Sequence, residues 1–201
     1  MNKTIKTICV FASASDNIDN IYFKAAHELG SEIANNRYDV IYGGSNLGLM
    51  GEVTSSARLR GSEIIGVMPE KLYNLGIHPG ECSRFILTKG MRERKAKMDE
   101  LSQALIALSG GFGTLEELTE MIVQKQLGYN NKPIVLLNTN GFYDNLIKFF
   151  DDIINQNFAP QISREMYYVA KTPKEAIEYI NNYDFSNNNY LDAKIGSKIN
   201  H

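Results

Sequence analysis

Two cysteines, Cys9 and Cys82, are all that this 201-residue chain contains. They are too few for a disulfide scaffold and lack the C-x-x-C spacing of a zinc site, so a reducing, cytoplasmic setting is the expectation. An excess of one charge is missing as well. The 21 Lys and Arg against 23 Asp and Glu leave a net charge of -2, which removes the electrostatic case for non-specific nucleic-acid binding or a basic membrane patch. No apolar run approaches the roughly 20 residues of a membrane span. The one near the N-terminus, Ile8 to Ala12, is too short for a secretory segment. Repeats are absent. Three histidines, His27, His78 and His201, lie far apart and suggest neither a metal site nor a triad.

The composition that remains is ordinary for a globular chain: 43% apolar and 22% charged. A chain of this length buries roughly 70% of the surface it exposes when unfolded. Short apolar runs alternate with longer helical patterns. Strands are expected at Thr7–Ala12, Val40–Tyr42, Ile64–Met68, Phe85–Leu87, Ala104–Leu108, Pro133–Leu137 and Tyr167–Val169. Helices are expected at Ile21–Ala34, Leu49–Leu59, Arg92–Leu101, Leu115 to about Leu127, Tyr143–Ile154 and Pro173–Tyr183. Glu70 to Cys82, with Gly76, Pro79 and Gly80, reads as the longest irregular stretch. Such alternation predicts parallel strands with right-handed crossovers: an α/β fold, one doubly wound Rossmann-like domain over residues 1–183. The Asn-, Ser- and Lys-rich end, 184–201, reads as a polar tail.

In open parallel sheets ligands bind at the carboxyl ends of the strands. Two glycine-rich turns fall there, Gly43-Gly44-Ser45-Asn46-Leu47-Gly48 and Gly110-Gly111-Phe112-Gly113-Thr114, each leading from a strand into a helix. Exposed amides at such turns suit phosphate. The first strand–helix turn, Ala12 to Asn17, has no glycine, which argues against the usual dinucleotide mode. Leu49-Met50 stand where a P-loop needs Lys and Ser or Thr, which excludes that class of triphosphatase. A monophosphate-sized anion site is left. Single residues keep ordinary readings too. Thr114-Leu115-Glu116-Glu117 fits a capping box, Arg92, Arg94, Lys95 and Lys97 fit a solvated helix face, and Cys9 fits a core position.

Three segments taken together carry a resemblance. Tyr42-Gly43-Gly44-Ser45-Asn46-Leu47-Gly48-Leu49-Met50-Gly51, Met91-Arg92-Glu93-Arg94-Lys95 and Ser109-Gly110-Gly111-Phe112-Gly113-Thr114-Leu115-Glu116-Glu117 resemble the Y-G-G-G-x-x-G-L-M-G, M-H-x-R-K and P-G-G-x-G-T-x-x-E motifs of the lonely-guy family. These are cytokinin-activating phosphoribohydrolases often mislabelled lysine decarboxylases, and the likeness runs from about Lys6 to Tyr183.

The resemblance implies hydrolysis of the N-glycosidic bond of a nucleoside 5'-monophosphate, with Arg94 and Glu117 as the catalytic pair. Lys95 becomes a supporting cation, and Met91 belongs to the substrate-binding helix start. Gly110, Gly111, Gly113 and Thr114 cradle the phosphate with Glu116 nearby, Gly43, Gly44 and Ser15 close the other side, and Glu120 is a second carboxylate. A homodimer is implied, with both chains lining the pocket. No metal or cofactor is expected, because the chemistry requires none. Three departures stand out: Ser109 for proline, Arg92 for histidine and Ala12-Ser13 for Cys-Gly. They leave a cytokinin nucleotide and AMP both open as substrates. A nucleotide or cofactor carrier on the same fold is the competing reading, and some members of the wider superfamily carry molybdenum cofactor. Lysine decarboxylation would need a pyridoxal phosphate lysine, which nothing in the sequence marks.

Overall fold

In the computed structural model, residues 5–186 and Tyr190 are described. Seven strands, β1 (Thr7–Phe11), β2 (Asp39–Tyr42), β3 (Ile64–Pro69), β4 (Arg84–Thr88), β5 (Ala104–Ala107), β6 (Ile134–Leu137) and β7 (Tyr168–Ala170), form one sheet in the order β4-β3-β2-β1-β5-β6-β7. Every pairing is parallel. The helices are α1 (Asn20–Asn35), α2 (Gly48–Arg58), α3 (Glu70–Asn74), α4 (Met91–Leu101), α5 (Phe112–Gln126), α6 (Asp144–Asn155) and α7 (Pro173–Asn181). The expected doubly wound α/β architecture is present.

Why these runs are strands is visible in how their side chains divide. Ile8 and Val10 enter one core layer and Cys9 and Phe11 the other. Ala104 and Ile106 separate from Leu105 and Ala107 in the same way, as do Val135 and Leu137 from Ile134 and Leu136. Period-two alternation therefore feeds two buried faces, and each run is apolar throughout. One layer is closed by α1, α2 and α7 through Leu29, Ile33, Leu49, Val53 and Ile177. The other is closed through Met98 of α4, Leu118 and Met121 of α5, and Tyr143 beside α6.

Two expectations are corrected here. Glu70–Asn74, expected as irregular, is helical; it has no buried residue, so it carries no apolar period to read. The Thr114–Glu117 capping box does not form. Helix α5 begins at Phe112, two residues before Thr114, has Gly111 as its N-cap and makes no side-chain cap hydrogen bond. Much of the polar tail, residues 187–189 and 191–201, lies outside the described residues.

The sheet reverses its direction of growth at β1, which pairs with β2 on one side and β5 on the other. A crevice opens at the carboxyl ends of strands at such a point, and both glycine-rich turns end there.

Candidate active site

A cleft of about 360 Å³ occupies that crevice. Its walls come from the end of β1 and the following loop (Val10 to Ala14), from Gly43 and Ser45 after β2, and from the head of α5. Apolar side chains of Leu47, Met50, Met68, Leu72, Ile77 and Met91 complete it. On its floor lie Arg94 and Glu117.

Arg94 reaches the floor because α4 is less exposed than its composition suggests. Arg94 and Met98, four residues apart, are its two buried residues and share one face. The solvated-face reading of this basic cluster therefore fails at Arg94. Its Nε donates to the Val67 carbonyl of β3 at 3.1 Å, and its Nη1 donates to Glu117 Oε1. Gly43 is small for this reason: a Cβ there would overlap Arg94 Nη2 and press on the Met50 sulfur.

Glu117 belongs to a buried stripe of α5 made of Thr114, Glu117, Leu118, Met121 and Lys125. With 8% of each side chain exposed, Arg94 and Glu117 form a desolvated ion pair. Burial pushes the Glu117 carboxyl above its ordinary range, and the Arg94 charge and hydrogen bond only partly offset that. No described residue donates to its second oxygen, Oε2. The cleft thus holds a fixed carboxylate with a free oxygen beside a cation.

The two glycine turns differ in what their amides do. At α2 they are occupied from within the fold. Gly48 N donates to Asp16 Oδ1 at 2.8 Å, while Leu49 N and Met50 N donate to the Ser13 carbonyl at 2.9 and 3.3 Å. Gly48 takes φ +56°, and a Cβ there would come within 2.7 Å of Ser13 O. This turn docks α2 onto the β1 loop, so the amides of Gly48, Leu49 and Met50 are committed within the fold. At α5 the first helical bond is Leu115 N to Gly111 O, 3.0 Å. The amides of Phe112, Gly113 and Thr114 precede it, and no side chain caps them. An anion fits there, at the positive end of the helix.

Of the residues named from sequence, the cleft brings together Gly43, Met91, Arg94, Gly111, Gly113, Thr114 and Glu117. Ser15 is exposed beside Gly48 rather than in the wall. Gly44 turns at φ +80° against β3, and Gly110 packs on the Thr114 side chain. Lys95, Glu116 and Glu120 gather outside the cleft, where Lys95 Nζ pairs with Glu116 and, at 2.5 Å, with Glu120, tying α4 to α5. Ser109 is buried with an unpaired hydroxyl. The sequence reading missed the apolar wall of Leu47, Met50, Met68, Leu72 and Ile77. Leu47 and Met50 were within reach, since they lie inside the quoted turn motif. Met68, Leu72 and Ile77 enter only through the fold.

Among the described residues, no group of three or more His, Cys, Asp or Glu is placed to hold a metal ion, and no helix is long and apolar enough to cross a membrane. Cys9 is fully buried, and burial pushes its thiol up, as befits a core position.

Residues 50–180 match the family described as possible lysine decarboxylase. A probable cytokinin riboside 5'-monophosphate phosphoribohydrolase of Oryza sativa subsp. japonica is 40% identical over 89% of this chain and 73% of its own. A cytokinin riboside 5'-monophosphate phosphoribohydrolase of Arabidopsis thaliana is 37% identical over 89% and 83%. Among solved structures, the molybdenum cofactor binding protein of Rippkaea orientalis aligns at TM-score 0.68 and 24% identity, over 90% of this chain and 98% of its own. A Moco carrier protein of Chlamydomonas reinhardtii aligns at TM-score 0.65 and 26% identity, over 89% and 96%.

Proposed function

The chain belongs to the lonely-guy family, and from that premise we propose that it hydrolyses the N-glycosidic bond of a nucleoside 5'-monophosphate, either a cytokinin riboside 5'-monophosphate or AMP. The observation that carries this reading is the buried Arg94–Glu117 pair at the foot of a helix whose first amides are open to an anion. Water replaces the base: the bond from the ribose anomeric carbon to the base nitrogen breaks, and a carbon–oxygen bond to water forms. One water proton ends on the base, giving free base and ribose 5-phosphate.

The leaving base withdraws electrons from the ribose, so the transition state resembles an oxocarbenium ion. The Glu117 carboxylate, with Oε2 available, stabilises that positive charge and orients and deprotonates water. Its raised pKa makes it a better base near neutral pH than an exposed carboxylate. Arg94 keeps Glu117 ionised and in place, and its remaining N–H groups face nucleotide. The α5 amides with Thr114 hold the phosphate, and the apolar wall receives the base. Residues 1–183 act as the nucleotide-binding domain, in a cytoplasmic protein.

Decarboxylation of lysine fits less well. No lysine is among the residues lining the cleft, so pyridoxal phosphate has no Schiff-base anchor there. The carrier reading shares the fold but gives no reason for a desolvated carboxylate on the cleft floor. A homodimer fits two apolar side chains at helix starts beside the mouth, Phe112 at 92% exposed and Met91 at 47%.

The test is chromatographic. Purified protein is incubated with AMP and with isopentenyladenosine monophosphate, and free base and ribose 5-phosphate are measured. Equimolar appearance of both products supports hydrolysis, and the ratio of rates names the substrate. A nucleotide that raises the melting temperature but survives intact would move the carrier reading to first place.

A further inference from the structure

Helix α5 carries a second buried charge at its far end. Lys125 lies eight residues beyond Glu117, about 12 Å along a helix rising 1.5 Å per residue. It is on the same buried stripe and only 1% exposed. Its Nζ donates to the Lys132 carbonyl at 3.0 Å and to the Tyr183 hydroxyl at 2.7 Å. The same nitrogen stands 4.9 Å from the ring centroid of Tyr183 and 5.5 Å from that of Tyr190. No carboxylate among the described residues pairs with it. A buried ammonium without an anion is costly, and here aromatic faces and two oxygens stand in for water.

Both rings belong to the chain beyond α7, which is bound back at several further points. Tyr183 donates to Asn131 Oδ1 at 3.1 Å, Asn131 Nδ2 donates to the Phe185 carbonyl at 2.6 Å, and the buried Tyr190 donates to the Glu165 carbonyl at 3.1 Å. Tyr183 also packs edge-on against Tyr179 and Phe185. Tyr183 and Phe185 are held against the end of α5 and the loop into β6 through Lys125 and Asn131.

We propose that Lys125 is a charge-controlled latch for the segment carrying Tyr183, Phe185 and Tyr190, gripping it weakly as an ammonium and firmly as a neutral amine. The neutral amine keeps both polar contacts, its two N–H groups donating to the Lys132 carbonyl and to the Tyr183 hydroxyl oxygen, whose own proton goes to Asn131 Oδ1. The attraction of the charge to the two rings goes with the proton, and so does the larger cost of burying that charge.

The sign follows from linkage. Burial pulls Lys125 down to about 8 from its ordinary 10.5, and undocking returns it to water. Between those values the undocked form binds the extra proton, so raising the pH favours docking. The gain between pH 7 and 9 is at most about ten-fold. Among the described residues, the other titratable groups facing the latch do not reverse this. The phenols of Tyr179, Tyr183 and Tyr190 are all pushed up by burial and stay protonated below pH 10. The Lys132 ammonium is held by Asp99, while Asp184 and Glu165 act on the tyrosines rather than on Lys125.

The experiment is hydrogen exchange of the amides of residues 183–186 in the full chain, corrected for intrinsic rates, at pH 7 and pH 9. Wild type gains protection several-fold, up to the ten-fold limit. Lys125→Met is highly protected at both values, because an apolar side chain has no charge to bury. Lys125→Arg is weakly protected at both, because guanidinium does not deprotonate. Equal wild-type protection at the two pH values overturns the proposal, as does a matching rise in Lys125→Arg. Should Lys125→Met fail to fold, the wild-type and arginine profiles decide alone.

Discussion

Arg94 and Glu117 are each costly to bury alone and tolerable together. Removing one partner of a buried pair leaves the other uncompensated, at about 3–5 kcal/mol. Arg94→Met is therefore expected to lose about that much stability in denaturant titration. Adding Glu117→Leu should recover most of it while leaving the protein inactive, because the second change removes the stranded carboxylate. Additive losses in the double variant would contradict the pairing. The same residue sets the pH response. Glu117 works as the ionised carboxylate, and burial holds its pKa up. Activity should therefore fall on acidification at a higher pH than an exposed glutamate would give, and a pH–rate profile measures this. The pair was only half legible in the sequence. The motif resemblance named both residues, but the polar composition of α4 read as a solvated face, and only the fold shows that Arg94 is buried beside Met98. Read singly, Thr114 and Glu117 look like a capping box, because local pattern cannot show that the helix starts two residues earlier and that Glu117 faces a cation from another helix.

Among the elements, α5 contributes most to the site. Its start carries no side-chain cap and is open to an anion, its second turn carries Glu117, and its end carries Lys125. The account predicts that inorganic phosphate or ribose 5-phosphate raises the melting temperature, and that Thr114→Val weakens this protection without lowering the unliganded melting temperature by more than a few degrees. Phosphate protection unchanged in Thr114→Val would remove that residue from the seat. Helix α2 has a different task. Its first amides, those of Gly48, Leu49 and Met50, are satisfied by Asp16 and Ser13, partners more than thirty residues earlier in the chain, a commitment that the local glycine pattern does not show. Its docking depends on α1: a Cβ at Gly30 would overlap the Val53 carbonyl of α2. Gly30→Ala should thus cost about 1–3 kcal/mol, a drop of a few degrees in melting temperature. Helix α3 escaped the sequence reading because five residues without a buried side chain leave no period to detect, although Leu72 still reaches the cleft.

For the whole molecule, the sequence was most informative where the chain is most buried. Strands apolar on both faces admit one arrangement, a parallel sheet covered by helices, and the reversal at β1 puts the crevice at the carboxyl ends of the central strands. The apolar wall was not legible, because Met68, Leu72 and Ile77 converge on the cleft from β3 and the segment after it. The proposed homodimer belongs to this scale as well. Sedimentation should give twice the 22.6 kDa chain mass, and Phe112→Asp should shift it toward one chain; a wild-type monomer that turns over substrate would remove the dimer from the account.

Glu117 is the residue proposed to make this fold a hydrolase. Wild type and Glu117→Gln, which is nearly isosteric, are compared on the better nucleotide at saturating concentration, with base release as the readout. The account predicts equimolar base and ribose 5-phosphate from wild type and a fall of about 10²–10⁴ in kcat for the variant, with nucleotide binding retained. Base release by Glu117→Gln at the wild-type rate would contradict it and return Glu117 to a structural partner of Arg94.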